Sequence, residues 1–209
     1  MSEGAGRPAL KSRTLLASRI YMTIGIGMTT AGLIKSQTAF SLTNMLIKNR
    51  DLEFKMIFKE GPIIPMNREV IAEIAQQMGC SHLLFVDSDM VFPTDAVQKL
   101  LEHDKDIIGV NYNMRQLTPQ STVKTKPGET VSLKLSECAG VATGFMLVKM
   151  EVFEKVKKPW FHVGIDETDT TGKTLEGHDY RFCRLAREAG YTVWYDGTIG
   201  IGHIGDYVF

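Results

Sequence analysis

The sequence predicts an α/β protein: a three-layer α/β/α arrangement around a mostly parallel sheet, with a small β-hairpin excursion. Short apolar runs alternate with stretches of helical period over the first half of the chain, the pattern of a parallel sheet between helical layers. Leu83 to Val86 is a continuous apolar run, as expected of a strand buried on both faces. Residues 67–78 place Val70, Ile71, Ile74, Ala75 and Met78 at helical spacing, and Gly79 supplies a left-handed stop.

The remaining elements follow in order. Residues 1–18 read as a flexible polar N-terminus and 19–209 as one domain. A first strand is expected over 19–24, a helix over 37–48 and a second strand over 53–58. After the third strand, Thr94 is expected to cap a short helix to about 102, and a strand returns over 106–112. Beyond Tyr112 the chain turns polar. Residues 123–125 and 130–135 alternate on either side of Lys126-Pro127-Gly128-Glu129, which predicts a hairpin. An apolar strand over 142–149 and a short helix over 151–156 come next. Residues 161–177 are acidic and Thr-rich, the composition of a mobile loop. A helix over 179–189 ends at Gly190, a last strand covers 192–195, and a glycine-rich tail holds His203.

Composition narrows the function. A chain of 209 residues with 44% hydrophobic content can bury a substantial core. Lys+Arg and Asp+Glu are both 24, so there is no general drive toward nucleic acid or anionic membranes. The lysines from Lys124 to Lys158 are either a local basic face or an ordinary solvated surface. The 3 cysteines form no CxxC and no disulfide framework, which points to a reducing compartment. Residues 21–34 are too short and too rich in Gly and Thr to span a bilayer, and residues 1–14 lack a leader pattern. A cytoplasmic location is expected.

The run LLFVDSDMVFP carries the chemistry. Its apolar strand ends in Asp87 and Asp89, flanking Ser88, and open α/β sheets bind ligands outside the carboxyl ends of their strands. Carboxylates there are placed to hold a divalent cation and, through it, the phosphates of a nucleotide. Asp179 stands at a helix entry after the expected loop. It can cap that helix and can also accept a proton from a substrate hydroxyl. His203 lies between Gly202 and Gly205, and imidazole with carboxylates suits manganese.

Together, LLFVDSDMVFP, ATGFMLVKMEVFEKV, GHDYRFCRLAREAGYTVWYD and GHIG, in that order, resemble the metal-dependent glycosyltransferases of the GT-A fold. The likeness is nearest to the small family-two-like enzymes of phages and bacteria, and it covers residues 20–205. It implies a hexosyl- or pentosyltransferase that uses a nucleoside-diphosphate sugar, a UDP-sugar first among them. The implied metal is manganese (or magnesium), held by Asp89 and His203 with Asp87 reaching it through water or contacting the ribose. Arg68, Asp87, Ser88 and Asp89 would bind the donor. Asp179 would be the general base of an inverting reaction, and Gly144, Phe145 and His178 would lie on the acceptor side. Where the family usually has Glu-Asp this chain has His178-Asp179, and where it usually has Arg-Asn this chain has Arg68-Glu69. His178, if charged, would stabilise ionised Asp179; the plainer reading is a surface residue. The acceptor is left open between a hydroxymethylated pyrimidine in DNA and a cell-surface glycan precursor.

Two alternatives stand beside this reading. One is a nucleotidyltransferase, which also pairs aspartates with a metal but would show a triphosphate loop near the N-terminus; none is visible. The other is a non-catalytic module that binds nucleotide-sugar. A dinucleotide-binding oxidoreductase fails because Gly25-Ile-Gly27 is followed by Thr30 where the third glycine belongs.

Overall fold

The structure is a computed structural model that describes residues 22–116, 118, 120–165, 171 and 174–205. The N-terminal stretch expected to be flexible, the opening of the first strand at 19–21, and residues 166–170, 172 and 173 of the expected mobile loop lie outside the described residues.

The first half of the chain forms β1 (Thr23–Thr30), α1 (Ser36–Lys48), β2 (Glu53–Glu60), α2 (Ile64–Gln77), β3 (His82–Val86), β4 (Met90–Val91), α3 (Ala96–Glu102) and β5 (Ile107–Val110). The second half forms β6 (Val123–Lys124), β7 (Leu135–Cys138), β8 (Gly140–Val141), β9 (Phe145–Lys149), α4 (Met150–Lys155), β10 (Gly164–Ile165), β11 (Leu175–Glu176), α5 (His178–Glu188), β12 (Val193–Asp196) and β13 (Gly202–His203). A 7-stranded sheet has the order β2-β1-β3-β9-β5-β12-β7. Strands β2, β1, β3, β5 and β12 run in one direction, while β9 and the edge strand β7 run against them.

Alternation along the strands divides the core between two layers. Ile24, Ile26, Leu84, Val86 and Ile108 pack with Leu42 and Met45 of α1 and Val97 and Leu100 of α3. Leu83, Phe85, Met146 and Val148 face the other way, toward Ile71 of α2, Phe153 of α4 and Phe182 of α5. The mostly parallel α/β/α prediction therefore holds.

Several expectations shift in detail. Strand β1 runs on to Thr30, past the expected end at Ile24. A Cβ on Gly27 would collide with Ile71 Cγ2, so glycine lets α2 lie close against the sheet. The turn at Lys126–Glu129 forms, with Glu129 N–H donating to Lys126 O at 3.0 Å, but its arms do not pair with each other. β6 pairs with β8, and β7 joins β12 at the sheet edge. That edge offers a full ladder to β7, and Ser132 N–H adds a hydrogen bond to the Tyr195 hydroxyl at 2.8 Å. The small antiparallel excursion is found at β10–β11 instead, inside the expected loop. Asp95, not Thr94, takes the N-cap position of α3, and no side chain caps it; Ala96 N–H is met by Pro93 O. Among the described residues no helix is long and apolar enough to cross a membrane.

Candidate functional site

The strand order changes direction at β1, with β2 on one side and β3 on the other. The loops leaving β1 and β3 border a crevice at the carboxyl ends of these strands. An open cavity of about 570 Å³ fills it, lined among others by Thr30, Arg68, Asp87, Asp89, Arg115 and His203. That volume is in the ordinary range for small-molecule sites. The sequence candidates Arg68, Asp87, Ser88, Asp89 and His203 all line this cavity.

Each arrives by an identifiable route. Asp87, Ser88 and Asp89 are delivered by the buried strand β3, and Ser88 O accepts Lys35 N–H from the β1–α1 loop at 2.9 Å. Arg68 sits in the first half of α2, almost wholly buried. One of its nitrogens donates to Asp87 Oδ1 at 2.7 Å. The other stands 3.2 Å from both ring nitrogens of His178. His203 is carried in by the ladder of β13 on β4, where His203 pairs with Met90, and by Ile204 N–H donating to Asp89 O at 2.8 Å.

Asp89 and His203 face each other, Oδ1 to Nε2, at 3.5 Å. The other oxygen of Asp89 lies 2.9 Å from Arg115 Nη1. Burial raises the Asp89 carboxyl, but the His203 hydrogen bond and the Arg115 charge outweigh it and hold the group below its usual range. The same Asp89 hydrogen bond lifts His203 above its usual value.

A divalent ion suits part of this set. His203 Nδ1 lies 3.2 Å from Asn113 O, which directs Nε2 toward Asp89, the outer-shell arrangement common to metal-bound histidines. Among the described residues no three His, Cys, Asp or Glu side chains gather around one point. Asp87 lines the same cavity, with its Oδ1 held by Arg68. One carboxylate and one imidazole still fit manganese or magnesium, which keep several waters and take remaining ligands from substrate phosphates.

Asp179 and His178 open α5 beside this cavity. Asp179 lies in the first turn of the helix, and Gly177 holds the N-cap position. His178 is half-buried and touches Arg68, so it is not a free surface residue. Burial first, and then the Arg68 charge, lower its pKa. It is therefore neutral near pH 7 and supplies no positive charge to Asp179. Gly144 N–H donates to the Tyr112 hydroxyl at 3.0 Å, and its carbonyl accepts from Asp87 N–H at 3.0 Å. A Cβ on Gly144 would collide with that hydroxyl. Burial, then the charges of Asp87 and Asp179, push the Tyr112 pKa well up, so it keeps its proton. Phe145, expected on the acceptor side, is fully buried and packs on Phe92, ring centroids 4.8 Å apart; it supports the strand from within.

Arg115 and Tyr112 were not among the sequence candidates. Tyr112 closes a predicted parallel strand, the kind of position that marked Asp87; Arg115, in the polar stretch beyond it, carried no such signal. Glu69, which departs from the usual asparagine, anchors a loop. Its carboxylate accepts the backbone N–H groups of Trp160 and Phe161, both at 2.9 Å, and Phe161 in turn packs near His178.

No protein-family model matches the sequence, and no curated protein matches it. Among solved structures, A197 from STIV superposes with a TM-score of 0.61 and 20% identity, covering 88% of this chain and 86% of that one. TarS 1–349 from S. aureus gives a TM-score of 0.50 and 15% identity, covering 87% of this chain and 60% of that one. Likenesses at these identities show a common fold, and the chain has a GT-A-like, Rossmann-like α/β architecture.

Proposed function

We propose that this protein transfers a glycosyl group from a nucleoside-diphosphate sugar, a UDP-sugar first among candidates, to an acceptor hydroxyl with inversion. The observation that carries this reading is the meeting of Arg68, Asp87, Asp89, Arg115 and His203 at the switch-point cavity. Cations and anions alternate there, as a bound diphosphate with its counter-ion requires.

In this reaction the bond from the anomeric carbon to the diphosphate breaks, and the diphosphate leaves with the electron pair. The acceptor oxygen forms the new bond, and its proton passes to the Asp179 carboxylate. A manganese or magnesium ion held by Asp89 and His203 would, when bound, offset the charge growing on the leaving group. Arg68 orients Asp87 through their 2.7 Å hydrogen bond and leaves the second Asp87 oxygen to accept from a ribose hydroxyl. Arg115, half exposed beside Asp89, supplies a mobile cation at the same place. The buried Tyr112 hydroxyl, bonded to Gly144 N–H, keeps the floor between Asp87 and Asp179 rigid.

The test is incubation with a panel of nucleotide-sugars, with and without manganese, measuring thermal shift and the nucleotide released. Ligands of the folded state raise the melting point, and a manganese-dependent release of nucleoside diphosphate supports the reading. Release of pyrophosphate from a nucleoside triphosphate would assign nucleotidyl transfer instead. Binding with no release under any acceptor would leave a nucleotide-sugar-binding module.

A further inference from the structure

We propose that a second cavity, of about 280 Å³, binds the acceptor, and that the acceptor presents a hydroxylated sugar ring. This inference rests on the transfer reading above and names its other substrate.

Neighbours in sequence line the two cavities. Arg115 lines the first and its neighbour Met114 lines the second. Gly177 and Tyr180 line the second cavity, while His178 between them touches Arg68 of the first. Asp179 lies in this same stretch, between His178, which touches a residue of the first cavity, and Tyr180, which lines the second, and the proposal gives it the acceptor's proton.

The lining selects the class of ligand. Gln120 and Lys124 offer polar contacts, the Tyr180 hydroxyl, which donates to Thr122 O at 3.2 Å, can still accept, and Val123 and Leu175 offer apolar surface. This mixture suits the polar rim and apolar face of a sugar ring. Glu176 also lines the cavity, but Arg184 holds its carboxylate at 3.0 Å, so it adds little net charge. A volume near the lower end of the usual range for ligand sites fits one ring and not an extended polymer.

The surroundings disfavour a nucleic-acid acceptor. Lys126 pairs with Glu137, Lys149 with Asp104 and Asp106, and Lys158 with Glu73. Three of the seven lysines from Lys124 to Lys158 are thus committed to carboxylates, which leaves fewer of the uncompensated cations that a phosphate backbone needs.

Saturation-transfer NMR on the full chain reads this without any donor. The probes are glucose, galactose and N-acetylglucosamine as methyl glycosides, and a duplex DNA carrying hydroxymethylcytosine. Leu175→Trp and Gln120→Trp fill the cavity from exposed positions, and if one fails to fold the other carries the test. At least one glycoside is expected to give signals that persist in Asp89→Ala and fall at least fivefold in the filled variants. Signals from no glycoside, or signals unchanged by filling, overturn the proposal. So does DNA binding that filling abolishes while glycosides stay silent. Because the readout needs no donor, a failure of sugar transfer is seen separately, as absent nucleoside diphosphate release.

Discussion

Arg115 Nη1 stands 2.9 Å from Asp89 Oδ2, on the opposite side of that carboxylate from His203. A guanidinium and a divalent ion compete for the same charge, and Arg115 is half exposed and able to withdraw. Its removal frees Asp89. Arg115→Gln is therefore expected to bind manganese several-fold more tightly in the absence of nucleotide, read by titration calorimetry. Asp89→Ala is expected to lose manganese-dependent donor binding altogether. Equal manganese affinity in Arg115→Gln and the parent would show that the two cations do not compete.

In the proposed reaction Asp179 takes the proton, a contribution of about 10²–10⁴ in rate. Asp179→Asn keeps the size and polarity of the side chain at the start of α5. The variant is expected to bind donor as the parent does and to transfer sugar at least a hundredfold more slowly. Transfer at the parental rate would remove Asp179 from the chemistry.

Gly144 has no room for a methyl group, because a Cβ would strike the Tyr112 hydroxyl. Overpacking of this kind costs about 1–3 kcal/mol. Gly144→Ala is expected to lose stability on that scale in urea unfolding. Tyr112→Phe removes the obstructing oxygen, so the double variant should lose less than the sum of the single losses. Simple additivity would locate the strain elsewhere.

His82 opens β3, where burial, followed by the Lys149 charge, lowers its pKa to about 4. The unfolded chain, near 6.5, then binds the extra proton first, so stability falls as pH drops from about 6.5 toward 4. The loss is at most roughly 3 kcal/mol. His82→Asn should flatten that part of the stability curve, measured as melting temperature against pH. An unchanged slope would place the acid sensitivity in other groups.

Much of the architecture was legible because local and global signals agree. Leu83 to Val86 is apolar because both sheet faces are covered, and the same burial forces its acids out at the strand end. Residues 67–78 announced a helix by spacing, and the observed α2 only adds a first turn around Pro65. What was hidden depended on partners distant in sequence. The continuation of β1 through Gly25 and Gly27 was missed because nothing local shows α2 pressing on the second of them. The strands around Pro127-Gly128 read as a hairpin because the competing partner, β12, lies far along the chain. At the site, the acids and His203 could be named from motifs. Arg115 could not, since a lone arginine in a polar loop looks like any solvated cation until the end of β5 aims it at Asp89.

The bridge between β13 and β4 involves only Gly202–Val91 and His203–Met90, whereas the main sheet is already complete at Asp196. The imidazole is thus fastened to a finished scaffold by a short clasp. Local opening there exposes little apolar surface and leaves the scaffold intact. A ligand that joins His203 to Asp89 would also close the clasp, and its binding in the crevice is then expected to order the chain around Gly202–Ile204, read as slower amide exchange there.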